Sequence, residues 1–105
     1  MKTVLRKHAL TGIILGTFAL PAIAADAEAI TKKITTCVAC HGVDGQSTAP
    51  IYPNLAGQAP AYLEMALKAY RAGERNGGMS AVMTPQARNL TDEDIADMAA
   101  YYSKQ

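Results

Sequence analysis

Two cysteines and a histidine stand close together in this chain, as Cys37, Cys40 and His41 in the spacing C-x-x-C-H. This spacing is typical of covalent haem attachment, in which each thiol adds to one vinyl group and the histidine offers a nitrogen to the iron. A chain that attaches haem in this way has to fold around a flat apolar group. We therefore expect a porphyrin to form the centre of the core.

Other sites also use two cysteines at this spacing, namely a redox disulfide, a structural disulfide and half of a zinc site. A thioredoxin-like site follows a strand, and residues 26–58 lack the alternation that is typical of strands. A tetrahedral zinc site needs about four ligands, and the two histidines of the chain include His8, which lies in a segment that we expect to be removed. Haem attachment is the preferred interpretation, and a redox or structural disulfide is the alternative.

The first 24 residues have the pattern of a secretory signal peptide. A basic start with Lys2, Arg6 and Lys7 precedes an apolar stretch from Ala9 to Leu20, and small residues around a helix-breaking proline follow. The apolar stretch is shorter than the roughly 18 residues that span a bilayer. We expect cleavage after residue 24 and export to the periplasm, or to an organelle space of similar character, with an uncleaved anchor as the alternative.

Cleavage leaves one domain, residues 25–105, which is too short to bury a large core from its own side chains. The chain has 10 Lys and Arg against 9 Asp and Glu, and three of the basic residues belong to the signal, so the mature domain is slightly acidic. An acidic surface gives no support for nucleic-acid binding. We expect instead a redox protein partner with a mildly basic or apolar face.

Three segments have the apolar spacing of amphipathic helices. One runs over 26–36 toward the motif, one runs from Pro60 to about Gly73, and one follows the capping-box pattern of Thr91 and Asp94. The stretches 42–58 and 73–89 are rich in Gly and Pro and are predicted to be irregular. The predicted fold is all-α, with three main helices and two long loops wrapped around one covalently bound haem.

An electron-carrying haem iron normally has two axial ligands, and His41 is the only histidine after position 24. A methionine sulfur is the obvious second ligand. Of the four methionines after position 24, Met98 lies on the apolar face of the last predicted helix and is interpreted as a packing residue. Met65 lies off the apolar stripe of the middle helix, where a regular turn can rarely bend its thioether toward a metal. Met83 and Met79 lie in the second loop, where Pro85 would hold the backbone beside Met83 in place. Met83 is the preferred ligand and Met79 is the alternative.

Four segments resemble the class I mono-haem cytochromes c, and most closely a single domain of the bacterial dihaem cytochromes c. They are TCVACHGVDGQS at 36–47, YPNLAGQ at 52–58, YLEMALKAYRAG at 62–73 and NLTDEDIADMAAYY at 89–102. The resemblance covers essentially the whole predicted domain. It implies the small class I cytochrome c fold with one haem.

The resemblance also implies roles for single residues. In the family the axial methionine lies seven residues before the leucine that precedes the last helix, which corresponds to Met83. The proline of a P-x-L-A-G-Q run, here Pro53, accepts a hydrogen bond from the proximal imidazole through its carbonyl, which would fix the tautomer of His41. Ile30 departs from the family, whose members have a glycine where the first and last helices cross, so the crossing is expected to shift to Ala27 or Ala29.

An iron that is bound by both His and Met has no open position for a substrate, so we expect an electron carrier rather than an enzyme. It would shuttle electrons between a respiratory or dehydrogenase donor and a terminal acceptor, through an exposed haem edge. A fixed subunit of a larger redox enzyme and an open-site peroxidase or gas sensor are the alternatives. The residues expected around the edge are mostly small and apolar: Val38, Ala39, Gly42, Ala49, Ile51 and 79–82.

Overall fold

The computed structural model describes residues 12–17 and 23–105. Its helices are α1 (Ile23–Lys33), α2 (Thr35–His41), α3 (Pro60–Arg71), α4 (Ser80–Ala87) and α5 (Asp92–Ser103). The described residues contain no strand, and the prediction of an all-α fold is confirmed. Most of the predicted signal peptide lies outside the described residues. No helix in the described part of the chain is long and apolar enough to cross a membrane.

The three main helices expected from the sequence correspond to α1, α3 and α5, and two short helices add to them. After a single turn residue, Ile34, α2 begins, so both cysteines and His41 lie in a helix of their own. Helix α4 occupies part of the stretch 73–89, which we expected to be irregular. It escaped prediction because it carries Pro85 in its interior and lacks a distinct apolar face.

The core forms where α3 packs against α5. Helix α3 also contacts α4, while α1 contacts α5 and α2. The central cluster consists of Ile34, Leu63, Met98, Ala99 and Tyr102. Three of these five, Met98, Ala99 and Tyr102, lie on one buried face of α5.

Helix α5 begins with the predicted capping box. The backbone N–H of Asp94 donates to Thr91 Oγ1 at 3.0 Å, and the Asp94 carboxylate accepts from the N–H of Thr91 at 3.1 Å. Lys33 joins α1 to this start through ion pairs with Asp94 and Asp97, at 3.2 and 2.5 Å. The hydrogen bonds from the Thr91 backbone and Lys33 hold the pKa of the Asp94 carboxyl below its usual value.

Ile30, which stands where the resembling proteins have glycine, is half-buried and packs against the core cluster. Ala27 and Ala29 are both exposed. The expected shift of the helix contact to these alanines is therefore wrong. The larger side chain of Ile30 adds to the apolar contact instead of displacing it.

Candidate haem-binding site

The C-x-x-C-H motif occupies the last five residues of α2. Residues three and four positions apart share one face of a helix, so Cys37, Cys40 and His41 lie on the same side. All three line one cavity of about 360 Å³. Both cysteines are free thiols and half-buried, and His41 is 5% exposed. The structure thus brings the three motif residues together at one wall of a cavity.

The rest of the cavity is mostly apolar and aromatic. Helix α3 supplies Tyr62, Leu63, Ala66, Leu67 and Tyr70, and residues of α4, α5 and the segment 42–58 complete the lining. Cofactor sites commonly have volumes of roughly 300–1,000 Å³ and apolar walls. Two thiols and an imidazole in such a wall fit the chemistry of a porphyrin that is attached through its vinyl groups.

Two glycines turn the chain back directly after His41. Gly42 and Gly45 have left-handed backbones with φ of +76° and +72°, which favour glycine. A Cβ at Gly42 would collide with the carbonyl oxygen of Gln46, and one at Gly45 would lie 2.6 Å from the backbone nitrogen of Ala56. The carbonyl of Gly45 accepts from the N–H groups of Leu55 and Ala56 at 2.8 and 3.1 Å. The segment 42–58 is therefore closed into a tight loop.

This loop places a carbonyl beside the histidine. The Nδ1 of His41 lies 2.8 Å from the carbonyl oxygen of Pro53. Because a carbonyl can only accept, Nδ1 carries the proton and the lone pair of Nε2 is available to a metal. The ring of Tyr52 lies edge-on to the imidazole, with centroids 6.4 Å apart. The imidazole is thus held in one tautomer and one orientation.

Burial raises the pKa of the Cys37 thiol above its usual value. A hydrogen bond to Cys40 likewise raises the pKa of the Tyr52 hydroxyl. Within residues 12–17 and 23–105, no three His, Cys, Asp or Glu side chains are grouped as a metal cluster.

Three methionines line the cavity. Met83 lies within α4 and is half-buried, and Met79, just before α4, is 49% exposed. Met98 is 4% exposed and belongs to the core cluster, as expected of a packing residue. Met65 is 60% exposed and lies outside the cavity. Both methionines proposed as ligands from the sequence therefore reach the cavity that holds His41.

Two tyrosines of α5 donate hydrogen bonds to the turn that follows the motif. The sequence did not predict these bonds. The hydroxyl of Tyr101 donates to the carbonyl of Val43 at 2.5 Å, and that of Tyr102 donates to the carbonyl of Gly42 at 3.0 Å. These bonds join residues 58 and 60 positions apart. No local pattern marks such contacts, because they depend on how α5 packs across the molecule.

The sequence matches a known protein family. The family model described as cytochrome c matches residues 24–104. Cytochrome c-554(548) of Halomonas halodenitrificans is 66% identical over 82 residues, which cover 78% of this chain and 99% of that protein. Cytochrome c4 of Stutzerimonas stutzeri is 42% identical over 99 residues, which cover 89% of this chain and 47% of that protein.

A solved structure of cytochrome c4 from Acidithiobacillus ferrooxidans has the same fold. It aligns with a TM-score of 0.63 at 33% identity, over 85% of this chain and 53% of that chain. The chain therefore spans about half the length of the cytochrome c4 proteins that it matches. It spans nearly all of cytochrome c-554(548).

Proposed function

Because the chain belongs to the cytochrome c family, we propose that it is a periplasmic one-electron carrier with iron held between His41 and Met83. Members of this family are electron-transfer proteins with the class I cytochrome c fold. The chain binds one haem c, covalently attached, in keeping with its single C-x-x-C-H motif. In our proposal the thioether bonds are formed by Cys37 and Cys40.

One observation carries the choice of ligands. His41, both thiols and Met83 line the same apolar cavity, and the imidazole is hydrogen-bonded so that Nε2 remains free. Met83 is partly buried, whereas the alternative ligand Met79 is 49% exposed to solvent. A buried sulfur is shielded from water, which would compete with it for the iron. This difference supports Met83 over Met79.

The residues of this chain would orient the ligands of the iron and set its reduction potential. Haem c supplies the one-electron couple of its iron. The Pro53 carbonyl keeps His41 oriented and raises the basicity of its ligating nitrogen. The Met83 thioether would favour the reduced state of the iron and so raise its potential. An iron bound by both His41 and Met83 would offer no position to a substrate, so its role would be electron transfer.

The proposed compartment rests on the signal pattern of residues 1–24. Thioether attachment needs thiols that are delivered outside the cytoplasm and reduced when the haem arrives. Both conditions are met in a bacterial periplasm. The donor in our proposal is a dehydrogenase or a respiratory complex, and the acceptor is a terminal oxidant complex.

Partner proteins would meet the carrier at the mouth of the cavity. Ile51, Tyr62, Met79 and Val82 line the cavity and are exposed large apolar side chains. Val38, which we expected at this edge, is half-buried against the core and adds little to an outer surface. Electron-transfer partners commonly meet through small, weak interfaces, which such a patch suits.

Absorption spectra of the oxidised and reduced protein test the ligand assignment. Ferric iron with His and Met ligands has a weak sulfur-to-iron charge-transfer band in the far red. We expect this band to vanish in Met83→Ala and to persist in Met79→Ala. Met65→Ala is the matched control, because Met65 lies outside the cavity. Survival of the band in Met83→Ala, together with its loss in Met79→Ala, would move the ligand to Met79.

The presence of attached haem is tested first. Haem that remains with the wild-type polypeptide after denaturation supports the assignment, and its absence would overturn it. Prompt binding of carbon monoxide by the ferrous wild-type protein would favour an open-site protein instead.

The docking surface is tested by paired substitutions. Ile51→Lys places a charge at the cavity mouth, and Met65→Lys places the same charge at a site of equal exposure elsewhere, since the two residues are 61% and 60% exposed. We expect Ile51→Lys to slow reduction by the natural donor about tenfold, equivalent to about 1.4 kcal/mol. Equal rates for the two variants would place the docking surface elsewhere.

A further inference from the structure

The chain has three asparagines, Asn54, Asn76 and Asn89, and Asn76 is the one that a glycine follows. The backbone nitrogen of the next residue can attack the side-chain amide of an asparagine, which makes asparagine a thermolabile residue. A side chain on the attacking residue obstructs this approach, and glycine has none. The sequence therefore favours Asn76 as the site of such a reaction.

The nitrogen that would attack Asn54 is held by a hydrogen bond. The N–H of Leu55 donates to the carbonyl of Gly45 at 2.8 Å. The side chain of Asn54 is held as well, because its Oδ1 accepts from the N–H of Ser47 at 2.7 Å. Both groups that would have to meet are fixed in other contacts, so Asn54 is protected although it is exposed.

The nitrogen that would attack Asn89 is also held. The N–H of Leu90 donates to the carbonyl of Ala87 at 3.1 Å. Leu90 brings a branched side chain as well, which is half-buried and packs against the core cluster. Asn89 is exposed, but the residue after it is fixed by its backbone and by its side chain.

Asn76 lies in a segment without such restraints. The N–H of Gly77 donates no backbone hydrogen bond within the part of the chain that the structure describes. Both residues are exposed, and nothing lies within 4 Å of the place that a Cβ of Gly77 would take. The attacking nitrogen and the amide that it would attack are thus both accessible to water.

We propose that Asn76 is converted to aspartate and isoaspartate in the folded protein. The nitrogen of Gly77 forms a bond to the side-chain carbonyl carbon of Asn76. The bond from that carbon to the amide nitrogen breaks, and the amide leaves as ammonia with the proton from Gly77. Water then opens the cyclic imide at either of its two carbonyls. The reaction uses only the polypeptide and water, so it does not depend on the proposed function.

The modification changes one side of the cavity. Aspartate is ionised at neutral pH, so a negative charge appears one residue after Arg75 and three residues before Met79, both of which line the cavity. In isoaspartate the backbone is also longer by a methylene group, in the segment that leads to α4. The modified protein is therefore a separate and more acidic form.

Peptide mapping of the purified, exported protein over time tests the site. Samples kept at constant pH and temperature are digested at intervals, and mass spectrometry with fragmentation that distinguishes isoaspartate from aspartate follows each asparagine. We expect Asn76 to be converted at least about tenfold faster than Asn54 and Asn89, with an equal amount of ammonia released. Equal rates at Asn76 and Asn89 would overturn the inference.

Two matched variants test whether Gly77 is the attacking residue. Gly77→Ala adds a methyl group to it, and Gly78→Ala adds the same group one residue later. Both positions have left-handed backbones in open space, so the strain of the two substitutions is comparable. We expect conversion to slow about tenfold in Gly77→Ala and to stay close to the wild-type rate in Gly78→Ala. Equal rates in these two variants would contradict the role of Gly77.

Isoelectric focusing of Asn76→Gln provides a test that leaves both glycines in place. The longer side chain of glutamine disfavours ring closure, so we expect the acidic form to be absent from this variant and to accumulate in Asn89→Gln as in wild type. An acidic form that appears in Asn76→Gln at the wild-type rate would overturn the inference. If Gly77→Ala does not fold, this comparison decides alone.

Discussion

Two walls of the cavity are built differently. The histidine wall consists of α2 and residues 42–58, and the methionine wall consists of residues 73–90. In the histidine wall, side-chain and backbone hydrogen bonds join α2 to the loop and the loop to itself, including Thr48 Oγ1 to the Ala39 carbonyl and the Ser47 N–H to Asn54 Oδ1. In the methionine wall, Gly77 and Gly78 have left-handed backbones in open space.

Side-chain bonds of Arg71 tie the far end of the methionine wall to α3 and to the start of α5. Arg71 donates to the carbonyl of Leu90 at 2.9 Å and pairs with Asp92 at 2.6 Å. The difference teaches that the two side chains that would bind the iron are held differently. The His41 imidazole is fixed by the Pro53 carbonyl, whereas Met83 lies in a short helix preceded by two glycines in open space, Gly77 and Gly78.

Removing each ligand in turn should give the largest contrast between the walls. We expect His41→Ala to lower the amount of haem-loaded protein at least tenfold, because the fixed imidazole is lost from the attachment site. Met83→Ala should accumulate close to the wild-type amount, with iron that binds carbon monoxide. Haem absorbance per polypeptide, measured after export, distinguishes these outcomes. Equal losses in the two variants would contradict the contrast.

Glycine substitutions compare the rigidity of the walls in free energy. Gly45→Ala combines a left-handed backbone with a Cβ 2.6 Å from the Ala56 nitrogen, and we expect a loss of about 3 kcal/mol in unfolding free energy. Gly78→Ala, at a φ of +49° with open space around it, should cost about 1 kcal/mol. Denaturant unfolding of both haem-loaded variants measures the difference. Similar costs would show that the two walls are equally rigid.

A smaller effect is expected from the tyrosine that fastens the histidine wall to α5. Tyr102→Phe removes the donor to the Gly42 carbonyl and should cost about 1 kcal/mol. Tyr62→Phe is the control, because Tyr62 is an exposed residue of the cavity mouth. Denaturant unfolding again provides the measurement. A larger effect at Tyr62 would show that the bond to Gly42 adds little.

Acid should lower the stability of the start of α5, which lies outside both walls. Of the effects described here, this one should change the haem site least. The pKa of the Asp94 carboxyl is lowered in the folded protein by the Thr91 backbone and Lys33, so its stabilisation is present above the ordinary pKa of about 4 and is lost as the pH falls. We expect the unfolding free energy to decrease below that pH, with a shallower slope in Asp94→Asn. The far-red band should not change where the fold persists. An unchanged slope in the variant would contradict this assignment.

The two walls also differ in how far they could be predicted. The attachment motif and the start of α5 were predicted from short patterns, because helix spacing and capping depend on residues within a few positions. Helix α4 was not predicted, since a helix with an internal Pro85 and no apolar face has no periodic signal. Arg75, which lines the cavity, could not be placed there from the sequence for a different reason. Its place in the cavity wall depends on the turn at Gly73 and on Tyr70, and neither its residue type nor its spacing indicates that contact.

The tyrosine bonds of α5 have a consequence for the order of assembly. Their partners in the turn after His41 are synthesised about sixty residues earlier, as the separations of 58 and 60 positions require. If the chain is exported as proposed, with its N-terminus first, both thiols emerge before α5 can bind the neighbouring turn. The attachment site would then be accessible until the last helix docks and closes it.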